Sequence, residues 1–178
     1  MEWKQFANQE EMHDGNMYFE HRYPSLRLVD AIESMNSYEE FERYFTKDLM
    51  DENLLLSRYL DHLLEQNNTN ANRVSLAIGK DKSYVGKITT GKELNPSRDV
   101  LLAVCVVIGA TVEETQILLR YSGKQPLYAR RRRDAIVWFA LKKRPLRQRM
   151  DGKAYLEELN GYLVDHGYKS LSKIIVKK

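Results

Sequence analysis

Residues 78–102 read IGKDKSYVGKITTGKELNPSRDVLL. Gly79, Gly86, Gly91 and Pro96 punctuate the stretch, and Lys80, Lys82, Lys87, Lys92 and Arg98 charge it. Just upstream, Asn70 is placed to cap a helix that carries Val74, Ala77 and Ile78 and ends at Gly79. Asx side chains accept from the exposed N–H groups of a first helical turn, and glycine supplies the left-handed residue that ends a helix. Asp81 repeats the arrangement for a second short helix, about residues 82–90, with Val85 and Ile88 inward and Gly91 as its stop. Two short helices joined by Gly79–Lys80–Asp81 predict a helix-turn-helix. The outward positions of the second are then Lys82, Ser83, Gly86 and Lys87. Gly86 would cost about 1 kcal/mol against Ala in an ordinary helix interior. Close approach to a partner explains that choice; a tolerated defect is the plainer alternative.

Outward from this pair, the whole chain reads as helix. Ser97 opens a helix through Val100–Ile108, although its valines favour a strand on propensity alone. Thr111, with Glu113 and Glu114 behind it, caps another to about Tyr121. In the other direction, Leu55, Tyr59, Leu63 and Leu56, Leu60, Leu64 form adjoining apolar stripes to about Gln66, with Asp51 as cap. Ser37 and Glu40 have capping-box spacing ahead of a short amphipathic helix over 37–47. Residues 1–35 show little periodicity and read as an irregular arm. In the last third, LLRYSGKQPL (118–127) is echoed by YLVDHGYKSL (162–171), with Gly123 on Gly167, Leu119 on Leu163 and Leu127 on Leu171. Between the two, AIVWFAL (135–141) is apolar all round and predicts a buried helix ended by Pro145.

The segment VSLAIGKDKSYVGKITTGKELNPS resembles the helix-turn-helix of phage-repressor-like (Cro/XRE) DNA-binding proteins of bacteria. Val74, Ser75, Gly79, Ser83, Tyr84, Val85, Ile88, Gly91, Lys92 and Pro96 stand at matching places. The family often begins its first motif helix with Gln, where this chain has Ala71. The resemblance implies a five-helix lambda-repressor-like domain over 52–120 and a recognition helix that enters the major groove of double-stranded DNA. By the same resemblance Lys82, Ser83 and Lys87 face bases, and Tyr84, Thr90 and Lys92 touch phosphates. The base-facing assignment also has a chemical basis. Lys donates to guanine O6 and N7, and Ser pairs with any base or with phosphate. The expected organisation is an all-α chain in three parts: an acidic N-terminal arm with a short helix (1–50), the DNA-binding domain (51–121) and a helical C-terminal extension (122–178).

Charge supports a polyanionic partner. Residues 1–71 hold 6 basic and 15 acidic side chains, a net of −9; residues 72–178 hold 22 and 10, a net of +12. Such asymmetry points either to a nucleic acid or to an acidic front that shields its own basic back. Arg130–Arg133 stand at the start of the predicted 135–141 helix, where positive charge opposes the macrodipole. Their compensation is expected from DNA phosphates or from residues 1–71, with a solvated basic face as the alternative. Cys105 is the only cysteine and sits among apolar residues, which fits an inert buried thiol in a reducing interior. His13, His21, His62 and His166 are scattered, so no metal or cofactor is expected. No catalytic motif is legible; adjacent pairs such as Glu39–Glu40 point in different directions on a helix, and no enzyme is expected. The longest apolar run, Val100–Ala110, is short of a membrane span, and the N-terminal residues lack a signal-peptide pattern, so a cytoplasmic location is expected. The sequence reading is a sequence-specific transcriptional regulator, dimeric because such proteins read paired half-sites, with a possible protein partner on the extension. A protein-interaction adaptor that keeps the fold without binding DNA is the alternative.

Overall fold

The helix through Val100–Ile108 is the centre of the core formed within residues 50–178, and burial explains why it overrides the strand propensity of its valines. In the computed structural model, residues 32–48, 52–93, 95–144 and 151–173 are described. They are helices and connecting turns, with no strand among them. The elements are α1 (Tyr38–Asp48), α2 (Glu52–Gln66), α3 (Ala71–Ala77), α4 (Tyr84–Thr89), α5 (Arg98–Ile108), α6 (Val112–Tyr121), α7 (Arg132–Lys143) and α8 (Gly152–Asp165). Residues 1–49 and 50–178 form separate compact units. No helix among the described residues is long and apolar enough to cross a membrane.

In the first unit, the Ser37 hydroxyl accepts from Glu40 N–H at 3.2 Å, as the capping spacing predicts. The Glu40 carboxylate reaches one residue further back than a standard capping box and accepts from Asn36 N–H at 2.9 Å. Of the arm expected over 1–35, residues 32–34 are helical. Residues 1–31, the Asp51 cap and the Pro145 stop lie outside the described residues.

In the second unit, α5 starts at Ser97, whose hydroxyl accepts from Val100 N–H, and stops at a left-handed Gly109. Eight of its residues are buried. Such a helix needs cover on every side, and α3, α6, α7 and α8 supply it. Each fully buried leucine, such as Leu101 or Leu102, contributes about 2 kcal/mol of apolar burial. Residues 122–178 therefore share one hydrophobic core with residues 51–121: Val137, Leu141, Leu156, Leu163 and Leu171 join Leu60, Val74, Val85 and Leu118 in it. The start of α8 lies against α5 so closely that a β-carbon on Gly152 would come within 2.2 Å of the Val107 carbonyl oxygen. Cys105 is fully buried, and burial pushes its thiol up to about 12, which keeps it protonated and unreactive at neutral pH.

One member of the basic run, Arg133, has an acidic partner within the second unit. Arg133 donates to Asp99 at 2.8 Å and to the Lys169 carbonyl at 3.2 and 3.0 Å. The adjacent Asp134, 3 % exposed, accepts two bonds from Arg98 at 2.9 Å and one from Tyr128 N–H at 3.1 Å. Arg131 donates to the Gln125 side chain at 2.6 Å. Asp99 thus answers Arg133, because the chain returns α7 to the start of α5. Arg130 and Arg132 are exposed. α7 also departs from the all-round burial its composition implied. Val137, Ala140 and Leu141 are buried, Ile136 and Trp138 are half-buried, and Phe139 is 63 % exposed.

The echo of the last third is a repeated structural device. After α6, Gly123 is left-handed and Lys124 N–H bonds the Leu119 carbonyl at 2.8 Å. After α8, Gly167 is left-handed and Tyr168 N–H bonds the Leu163 carbonyl at 2.8 Å. In both copies a side-chain amide then captures the buried leucine: Gln116 accepts from Leu127 N–H and Asn160 from Leu171 N–H, each at 2.8 Å. These two amides stand at the same 44-residue offset as the glycines.

The Arg98–Asp134 pair gives the first test. Asp134→Ala should cost about 3 kcal/mol by leaving a half-buried guanidinium without its carboxylate, and Arg98→Met with Asp134→Leu should recover most of that loss. Urea unfolding of the three proteins reads the result; a loss below about 0.5 kcal/mol in the single variant would contradict the role given to this pair.

Candidate nucleic-acid interface

The surface that the sequence singles out is built by α3, α4 and the turn between them. Asn70 caps α3 as expected, its side chain accepting from Arg73 N–H at 3.0 Å. Gly79 closes α3 at φ +70°. A second constraint, not legible locally, acts at the same residue. The C-terminal segment passes over the turn, and a β-carbon on Gly79 would meet the Lys173 carbonyl oxygen at 2.7 Å. Glycine is thus required both by the left-handed backbone and by the chain above it.

The two helices are fixed by a buried hydroxyl. Ser75 donates to the Ala71 carbonyl at 2.7 Å and accepts from Val85 N–H at 2.9 Å. Val85 N–H belongs to the first turn of α4, which has no partner within its own helix. Ser57, on α2, secures the far end by donating to the Ile88 carbonyl at 2.8 Å. Val85 and Ile88 are fully buried beneath. With its first and last turns held and its inner face packed, α4 has a defined orientation and a defined outer face.

α4 is shorter than the 82–90 helix the sequence predicts. Lys82 and Ser83 lie in the turn that precedes it, and Thr90 follows its last residue. The expected Asp81 cap is replaced by a backbone bond from Tyr84 N–H to the Asp81 carbonyl at 2.9 Å. The Ser83 side chain makes no capping bond. Lys82, Ser83, Lys87, Thr90 and Lys92 are exposed. Tyr84 is half-buried, and burial, with Glu93 second, raises its phenol pKa and keeps it a neutral hydrogen-bonding group. The Thr90 hydroxyl donates to the Gly86 carbonyl at 2.8 Å, so in this conformation its proton is already directed into the chain. Lys80, which the sequence reading did not include, is exposed beside these residues, with its ammonium 5.0 Å from the Tyr84 ring centroid. Its signal was present in the charge of the opening stretch, but its position in the turn hid that it stands over Tyr84.

Gly86 corrects the sequence reading. It does not face outward: a β-carbon there would lie 3.9 Å from the Ala71 β-carbon, an ordinary contact between the two helices. Among the described residues no cluster of His, Cys, Asp or Glu has the arrangement of a metal site. No family model matches the chain, no curated protein matches it, and no solved structure matches it.

The two glycines should respond oppositely. Gly86→Ala has room and gains helix propensity, so it should stabilise by up to about 1 kcal/mol. Gly79→Ala meets strain and a backbone oxygen and should lower the thermal midpoint by several degrees. Ser75→Ala leaves a buried N–H without an acceptor and should cost about 1–3 kcal/mol. Thermal unfolding of the three variants checks the order; a Gly79→Ala protein as stable as the parent would refute the packing described over that turn.

Proposed function

We propose that the chain is a sequence-specific, double-stranded-DNA-binding transcriptional regulator. In this reading the five helices from α2 to α6 form a lambda-repressor-like domain, α3 and α4 are its helix-turn-helix, and α4 enters the major groove. The observation that carries it is the exposed set Lys82, Ser83 and Lys87 around a short helix whose orientation is fixed by Ser75, Ser57, Val85 and Ile88. A helix that reads base edges must be held rigidly from behind while it presents donors in front. Lys82 and Lys87 then donate to guanine acceptors, and Ser83 pairs with a base or a phosphate. Lys92 and the flanking Lys80 lie beside the backbone, where compact ammonium groups attract phosphates without reading sequence. Tyr84 and Thr90 reach phosphates from the two ends of α4, Thr90 by rotating its hydroxyl away from the Gly86 carbonyl. The basic excess of residues 72–178 supplies the long-range attraction.

A binding selection from random duplex DNA, followed by titrations at several salt concentrations, tests the proposal. A preferred site should emerge, with affinity falling steeply as salt rises. Lys82→Ala and Lys87→Ala should each lose about 1–3 kcal/mol on that site and less on random DNA. Equal losses on both would reassign these lysines to phosphates. Absence of salt-dependent DNA binding in the folded protein would favour the adaptor.

A further inference from the structure

We propose that the open groove between α7 and α8 is the seat of a second copy of this chain, joined about a two-fold axis that runs along the groove. The groove has a volume of about 950 Å³. Ile136, Phe139, Leu159 and Tyr162 give it an apolar lining. Phe139 is 63 % and Tyr162 52 % exposed, so large aromatic surface faces the opening. The floor is rigid, since the buried Tyr155 hydroxyl donates to the Ala140 carbonyl across it at 2.7 Å. A surface already in its bound form avoids the ordering cost of association.

Charge selects the occupant. The charged residues that α7 contributes to the groove are Arg132 and Lys143; those of α8 are Glu158 and Asp165. One wall is basic and the other acidic. Rotation by a half-turn about an axis along the groove lays each basic wall on the acidic wall of the other copy. Rotation about an axis across the groove instead sets like charges together. A self-complementary surface is what a two-fold interface requires, since the same patch must serve on both sides. Gly161 agrees with a helix as the neighbour. It lies inside α8 and lines the groove, and a β-carbon on it would meet nothing of its own chain within 4 Å. Its cost to the helix has no internal explanation, whereas a missing side chain permits close approach from outside.

This inference stands on the groove and does not require the DNA reading. Sedimentation equilibrium of the full chain at micromolar concentration should give twice the chain mass. Reversing the basic wall (Arg132→Glu with Lys143→Glu) leaves both walls acidic, and reversing the acidic wall (Glu158→Lys with Asp165→Lys) leaves both basic. Each protein alone should weaken its dimer at least tenfold, and an equimolar mixture should restore a dimer of one copy of each. Gly161→Gln, which meets no internal obstacle, should keep full helicity by circular dichroism and also weaken association at least tenfold. A monomeric parent chain overturns the proposal. So does a dimer that survives Gly161→Gln and both wall reversals, because that dimer uses another surface.

Discussion

The fold depends on the burial of α5, a helix of valine, leucine and isoleucine that admits charge only at its first turn. Arg98 and Asp99 stand there, and Arg133 and Asp134 stand at the first turn of α7. The two Arg–Asp dipeptides exchange partners: Arg98 binds Asp134 and Arg133 binds Asp99. The exchange pairs the one arginine of the basic run that lies against α5, Arg133, and leaves Arg130 and Arg132 exposed. Asp99 and Asp134 are favourable in the first turn of each helix, and each cancels the arginine of the other. It also fixes α7 against α5 with paired, directional bonds, where the apolar contacts beneath would tolerate sliding. The cost of burying Asp134 is offset by the bidentate guanidinium and by the Tyr128 N–H.

The repeated helix ends extend the same logic to the rest of the core. After α6 and after α8 the chain must reverse and return a leucine to the interior. In each copy a left-handed glycine makes the reversal, and an amide from the preceding helix, Gln116 or Asn160, satisfies the leucine N–H that would otherwise be buried without a partner. Asn160 also donates to Ser172 at 3.3 Å, which secures the second return. Gln116 secures the first by donating to the Leu127 carbonyl at 3.1 Å.

Local signals in the sequence were legible where a residue acts on its own turn of helix. Asn70, Ser97 and Thr111 cap as their side-chain chemistry dictates, with Glu114 completing the capping box. Gly79, Gly91, Gly123 and Gly167 follow helix ends with positive φ. Periodicity found Val85 and Ile88 as the inward face of α4. The misses are long-range. Gly86 looked like an outward residue because nothing nearby in sequence reveals Ala71 opposite it. The partner of Arg133 was hidden because Asp99 lies 34 positions away in sequence. α7 looked buried all round because composition does not show that one of its faces borders a groove. Within the candidate interface, exposure of Lys82, Ser83 and Lys87 followed from the pattern. The clamps Ser57 and Ser75 carry no local mark of the bonds they make across helices.

The segment that follows α8 connects that helix to the turn between α3 and α4. Leu171 is anchored to Asn160 of α8, and two residues later the Lys173 carbonyl rests against Gly79. Gly79 is the residue that turns the chain from α3 toward α4. A side chain there would displace the tail, and displacement of the tail would strain the Leu171 anchor. The segment from α8 to Gly79 is therefore tied at both ends, with Arg133 holding its middle through the Lys169 carbonyl. Such a tie makes the orientation of α4 a property of the whole second unit, since α8 is itself locked onto α5 by the close approach of Gly152 to Val107. Two copies joined through α7 and α8 would on that account present their α4 helices at a set separation, which is what a pair of half-sites demands of a reader.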